Sequence, residues 1–309
     1  MVLLLLFEVL TVLWIQQISI PFAGKLKTYI RHPDIPGRIT LSVQSDGRFG
    51  NQMFEFASLV GIGLYNNISI VIPPGLSYLR RIFNMTECQF PVMNKDELGS
   101  YYNLNISKSM GYDARFKDIR KHINHSKILL KGFLQSYKYF HEHEHFIRRC
   151  YQFTRRYKDN TKKIMGTRIP KNRTIVGIHV RRGDFLNAKS RWRGLSVANV
   201  SYYYKAMDLM QEKYPNAFFV VASDDMKWAK ENLNSRASMS PFQNTFYDLS
   251  LFAICQHSII SSGTFSWWAG WLANGTTIYY EDYPRKGSSL SKGLDRSDYY
   301  YKDWIPLGD

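Results

Sequence analysis

The stretch "TIVGIHVRRGDF", Thr174 to Phe185, carries an apolar run straight into His179, Arg181, Arg182 and Asp184, four groups that are costly to bury. Ile175, Val176, Ile178 and Val180 read as a strand covered on both faces. Two arginines immediately after it put cationic donors at the carboxyl end of a sheet, where open α/β folds bind ligands, so an anionic ligand is expected. A guanidinium offers paired donors matched to phosphate oxygens, and Asp184 or the second arginine can fix its orientation. Successive side chains alternate faces, so only one of Arg181 and Arg182 continues inward while the other reaches sideways. The competing readings are a structural salt bridge to Asp184 and, for Arg182-Gly183-Asp184, an adhesion tripeptide. The latter needs an exposed loop tip, which a turn growing out of a buried strand does not offer.

Three other stretches have the same logic. "FFVVASDDMKWAKENL" ends a buried strand in Asp224 and Asp225, with Ser223 able to cap the next helix. A carboxylate there can accept two hydrogen bonds from a guanine or a ribose diol, and Asp225 is the preferred contact; alternatively both acids only cap the helix. In "SIISSGTFSWWAGWL", Gly263, Thr264 and Ser266 open a helix whose first N–H groups form an anion site, with Ser266 chosen as phosphate ligand. Trp267, Trp268 and Trp271 at helical spacing are read as core. In "GRFGNQMFEFA", Gly47 and Gly50 permit close backbone approach, and Asn51 with Gln52 offers neutral donors at a helix start, an opposite jaw to the arginines. "HEHEHF" puts His141 and His145 on one helix face without the HExxH order, and no DxD triplet occurs anywhere. No metal site is expected, and arginines have to neutralise a diphosphate instead.

The elements that carry these residues alternate. Ile39 to Gln44, Ile68 to Ile72, Lys127 to Leu134, Thr174 to Val180, Ala217 to Ala222, Ser258 to Ser261 and Thr276 to Tyr280 read as strands. Asn51 to Tyr65, Tyr137 into Tyr151, Ser201 to Lys213, Met226 to Leu233, Tyr247 to His257 and Phe265 to Ala273 read as helices. This is an α/β pattern of two Rossmann-like halves with parallel sheets facing a cleft, divided near residues 160–173.

The net charge of +16 is scattered in short clusters such as Arg155-Arg156, without the stripe or motifs of a nucleic-acid binder, and no nucleic-acid partner is expected. Asn67, Asn84, Asn105, Asn124, Asn172, Asn199 and Asn274 head glycosylation sequons. At ~0.13 Ser or Thr per position, chance supplies about two, so the excess favours a chain that meets the secretory lumen, with some asparagines expected to lie too deep for modification. Residues 1–23 are apolar but short and broken by Glu8, and are read as a signal-anchor or signal peptide, followed by a stem over residues 24–37. Cys88, Cys150 and Cys255 allow one bridge at most.

Together "IHVRRGDF", "FVVASDD", "SSGTFSWWAGWL" and "GRFGNQMFEFA" resemble the ordered motifs of the α1,2-fucosyltransferase family over roughly residues 38–285, in the manner of its invertebrate Golgi members. The HxRRxD core is also similar to that of α1,6- and O-fucosyltransferases, so it identifies the donor better than the acceptor. The resemblance implies a GT-B fold with an acceptor-side domain over residues 38–165 and a GDP-fucose-binding domain over residues 166–309. It implies inverting transfer from GDP-β-L-fucose to the 2-hydroxyl of a galactose-terminated glycan, without metal or cofactor, by a single-pass type II Golgi membrane protein with a luminal catalytic domain. By position, Arg182 would hold the β-phosphate with Arg181 assisting, His179 and Asp225 would contact the guanosine, and Ser266 would cap a phosphate, beside Asp224 and Thr264. Gly50, Asn51 and Gln52 would form the acceptor-side loop. Asp184 and Glu55 are the candidates for the base that takes the galactose proton. The alternatives are a protein O-fucosyltransferase and an inactive glycan-binding relative.

Overall fold

The first strand, β1 (Thr40–Val43), is buried at every position, and helix α1 (Phe49–Tyr65) returns the chain to β2 (Ser69–Ile70), which pairs parallel to it. The computed structural model describes residues 39–309, so the expected anchor and stem lie outside the described residues. Strand β4 (Lys127–Lys131) lies on the other flank of β1, and β3 (Tyr102–Asn105) adds to β4, giving a parallel sheet of order β2-β1-β4-β3. Beyond β2, the apolar run keeps only one bridge, Ile72 to Val92, before Pro73 and Pro74 end it.

The second sheet is built around β5 (Thr174–Val180), the β-branched run of the RRGD stretch. It pairs over its whole length with β6 (Ala217–Ser223) and on its other side with β8 (His257–Ile260). Strands β7 (Ser238–Met239), β9 (Thr277–Tyr280) and β10 (Ile305–Leu307) complete an all-parallel sheet of order β10-β9-β8-β5-β6-β7. Because His179 faces Ala222 on one side and Ile260 on the other, the three central strands finish together. Their continuations, Arg181, Asp224 and Ser261 to Gly263, therefore meet at one edge.

The helices between and around the sheets are α2 (Ile119–His122), α3 (Glu144–Cys150), α4 (Arg155–Gly166), α5 (Ala188–Arg193), α6 (Val200–Lys213), α7 (Met226–Leu233), α8 (Thr245–Phe252), α9 (Thr264–Ala273), α10 (Ser289–Lys292) and α11 (Arg296–Tyr299). The expected helix from Tyr137 is interrupted: Tyr137–Tyr139 and His141–His143 are separate 3-10 turns, and α3 begins only at Glu144. Tertiary contacts override local propensity there, because the Tyr139 hydroxyl is buried against Gly111 O and Phe140 stacks on Trp268. His141 and His145 consequently sit on different elements, and His145 is paired with Arg149. Helix α4 buries only Tyr157, Thr161 and Met165 among basic residues, and Tyr157 packs on Tyr247 of the second half.

Trp267, Trp268 and Trp271 of α9 are at most 2% exposed, and they join the two halves. Phe54 of α1 packs at 4.6 and 4.9 Å from the rings of Trp267 and Trp268. The Trp268 indole N–H donates to Gly50 O at 2.9 Å, and that of Trp267 to Tyr299 O at 2.7 Å. At ~25 cal/mol per Å² and ~200 Å² for an indole, each burial is worth roughly 5 kcal/mol as an upper bound.

Cys88 and Cys150 form a disulfide, leaving Cys255 as a buried thiol. All seven sequon asparagines are exposed, against the expectation that some would be too deep. They fall in turns, loops and strand or helix ends, and Asn199 caps α6 through its carbonyl oxygen, which leaves its amide nitrogen free. Among the described residues no helix is long and apolar enough to cross a membrane.

Candidate active site

The carboxyl ends of both sheets border a cleft of about 1000 Å³. At its floor His179 is buried, with Nδ1 2.6 Å from the Ser266 hydroxyl. The Ser266 hydroxyl also meets Ser262 O at 2.9 Å, an acceptor for its proton, and this arrangement suits a hydrogen on Nδ1 of the imidazole with Nε2 as an acceptor. Burial, and secondarily the charge of Arg181, push the His179 pKa down to about 3, so the ring stays neutral.

Alternation along the strand end decides between the two arginines. Arg181 lines the cleft above the Phe185 ring, with its guanidinium bonded to Asp224 at 2.7 Å and to Asp184. Arg182 turns the other way: its guanidinium lies 4.1 Å over the Trp228 ring and its Nε is 3.3 Å from Asp225. Asp225 spends its other oxygen on the Trp228 N–H, capping α7. Neither Arg182 nor Asp225, the residues expected to contact the donor, borders the cleft, whereas Arg181 and Asp224 do. Asp224 is itself held by the Arg182 N–H at 2.8 Å.

The start of α9 forms the next wall. Gly263, at φ 87°, turns the chain so that Thr264 and Phe265 border the cleft with the unpaired N–H groups of the first turn. Ser266, the expected phosphate ligand, does not border the cleft. It is 0% exposed and its hydroxyl is consumed by Ser262 and His179, so it sets the His179 tautomer instead.

The opposite jaw comes from the first βα turn. Arg48, Gly50 and Asn51 border the cleft, and Asn51 accepts hydrogen bonds from Thr264 at 2.9 Å and Gln135 at 3.1 Å. A Cβ on Gly50 would stand 2.7 Å from the Thr264 hydroxyl and 2.8 Å from Phe265 N, so only glycine lets α1 and α9 approach this closely. Arg48 bridges to Asp184, whose two oxygens are thus bound by guanidinium groups from both jaws. Gln52 does not border the cleft; its Oε1 accepts from the Tyr78 hydroxyl and its amide nitrogen donates to Gly47 O at 3.5 Å. Glu55 is 0% exposed and does not reach the cleft; both its oxygens accept the Asp46 N–H, at 3.0 and 3.2 Å. Burial pushes its pKa up to about 8. Its position fits a support for the Arg48 loop rather than a base acting on a bound sugar.

Two cleft residues escaped the sequence reading. Arg193 reaches the cleft from the end of α5. Asp248, 8% exposed on α8, accepts from Ser240 at 2.6 Å and from the Asn244 N–H at 2.9 Å, and burial raises its pKa. The available signal was a lone acid in the otherwise apolar "TFYDLSLF".

The profile of Glycosyl transferase family 11 matches residues 7–307. Galactoside 2-alpha-L-fucosyltransferase SEC1 of Bos taurus is 28% identical over 299 residues, covering 93% of this chain and 78% of that protein. A mutant of Arabidopsis thaliana FUT1 solved with GDP is similar at a TM-score of 0.54 and 11% identity, over 83% of this chain and 73% of that one. POFUT1 in complex with GDP-fucose is similar at a TM-score of 0.51 and 11% identity, over 82% and 97%. At these identities the structural likeness shows a common fold, the GT-B arrangement of two parallel sheets about a cleft.

Proposed function

Since the chain belongs to Glycosyl transferase family 11, the α1,2-fucosyltransferase family, we propose that it moves L-fucose from GDP-β-L-fucose to the 2-hydroxyl of a galactoside, inverting the anomeric carbon. The observation that carries this reading is the single arginine of the RR pair that enters the cleft, braced by Asp184 and Asp224 opposite the first turn of α9. As the C1–O bond breaks, its electrons go to the β-phosphate oxygen of GDP while the sugar becomes cationic. Arg181, Arg193 and the α9 N–H groups stabilise that departing charge more than the ground state, which is where rate acceleration originates. Asp248 and the His179 Nε2 are acceptors suited to the N–H and O–H groups of the guanosine. The galactose 2-hydroxyl oxygen bonds to C1 from the face opposite GDP, and its proton passes to Asp184, the remaining candidate base, held between Arg48 and Arg181 at the cleft edge.

In this reading fixed cations replace a divalent ion, and no cofactor is required. The exposed sequons and the Cys88–Cys150 bridge support a luminal, oxidising setting, with residues 1–23 as the anchor of a Golgi membrane protein. The test is transfer of labelled fucose from GDP-fucose, in the presence of excess EDTA, to galactosides and folded peptide domains offered side by side. An α1,2-linked galactoside product is expected. Product on peptides alone, or abolition by EDTA that added metal reverses, would refute the reading.

A further inference from the structure

Helix α5 ends at Gly194, whose left-handed φ of 106° closes the turn. Its backbone is pinned from outside: the Arg285 N–H donates to Gly194 O at 2.9 Å, the Arg285 guanidinium to Arg191 O at 3.2 Å, and the Ser289 hydroxyl to Arg193 O at 3.3 Å. On this fixed turn Trp192 stands 76% exposed, the most exposed of the large apolar side chains among the described residues. It borders a hollow of about 490 Å³ together with Arg191, Arg285 and Ser196. Phe185 and Leu195 belong both to this hollow and to the catalytic cleft, so the two spaces share a wall.

We propose that this hollow is an acceptor subsite, in which Trp192 stacks on the sugar ring joined to the galactose that receives fucose. The proposal rests on the glycosyltransferase reading above. An acceptor galactose at the cleft has to extend its remaining rings outward, and the shared wall leads past Phe185 and Leu195 to Trp192. A pyranose has a face of C–H groups and a rim of hydroxyls. A rigid indole matches the first, and the guanidinium donors of Arg191 and Arg285 match the second. The placement accounts for an indole left in water on a turn whose backbone is held by hydrogen bonds, the preorganisation that a binding platform needs. Trp192 thereby contributes to which galactosides are used, leaving the bond-breaking chemistry to the cleft.

The test compares full-length wild type, Trp192→Ala and Trp192→Phe on methyl β-galactoside and on a galactose-terminated trisaccharide, with the KM for GDP-fucose measured in parallel. Trp192→Ala should raise the trisaccharide KM about tenfold, the scale of one aromatic contact, while the methyl galactoside and GDP-fucose KM values stay within about twofold. Trp192→Phe should recover most of the loss. An unchanged trisaccharide KM, or an equal rise for both acceptors, overturns the subsite. So does a change in sedimentation that shows Trp192 buried between two copies of the chain while both acceptor KM values stay put. Wild-type protein that neither binds GDP nor uses any galactoside would instead defeat the reading on which the subsite rests.

Discussion

Replacing Arg181 with alanine separates the two arginines, of which the family resemblance gives the β-phosphate to Arg182 with Arg181 assisting. In the folded chain the Arg181 guanidinium holds Asp224 at 2.7 Å and also Asp184, at the edge of the cleft. Its removal deletes one fixed donor to the departing phosphate, worth about 3 kcal/mol in the transition state. It also leaves two carboxylates facing an incoming diphosphate, a like-charge arrangement that adds to the loss. The expected fall in kcat/KM is therefore at least about 10²-fold. Arg182→Ala should behave oppositely. Its guanidinium packs over Trp228 at 4.1 Å and meets Asp225 at 3.3 Å outside the cleft, so the variant should lose about 1 to 2 kcal/mol of stability while keeping kcat/KM within about fivefold. Fucose transfer from labelled GDP-fucose gives kcat/KM, denaturant titration gives stability, and circular dichroism confirms that each variant is folded. If folded Arg182→Ala loses more kcat/KM than folded Arg181→Ala, the assignment by strand alternation is wrong.

Gly50→Ala would push a methyl to 2.7 Å from the Thr264 hydroxyl and 2.8 Å from backbone N of Phe265, so it should cost about 1 to 3 kcal/mol and weaken GDP binding measured by calorimetry. For Glu55, burial raises the folded pKa from 4.5 to about 8, so the neutral carboxyl contributes stability that is full below 4.5 and is lost as pH rises through 8. Glu55→Gln should flatten that decline in urea midpoints and retain activity; a variant that folds but is inactive would restore Glu55 to the chemistry. Removing the Cys88–Cys150 bridge by paired alanine substitution should lower the unfolding free energy by about 2 to 4 kcal/mol with the active-site residues unaltered, readable by denaturant titration.

Much of the fold was legible because its signals are local. Alternating apolar runs and capping residues gave β5, β6, α6, α7 and α9 to within a residue or two, and the strands' parallel order follows from the helices between them. What failed locally did so where packing overrode propensity. Tyr139 and Phe140 turn inward and break the expected helix, while α4 shows only three buried side chains among its charges. Strands β3, β7 and β10 lie at sheet edges, where short, partly exposed segments carry weak patterns.

The sequence by itself determined that two arginines and two acids end buried strands beside a helix start, because residue type and order are enough to place charge at a sheet's edge. Which arginine and which acid enter the cleft was decided only by the folded chain. The alternation of side chains commits Arg181 and Asp224 inward, and the stacking of Arg182 on Trp228 holds Arg182 and Asp225 outside. The same holds for Ser266, Glu55 and Asp248. Whether a polar group is spent on a neighbour or left facing a ligand depends on contacts between residues far apart in the chain, and no spacing along the sequence records those contacts.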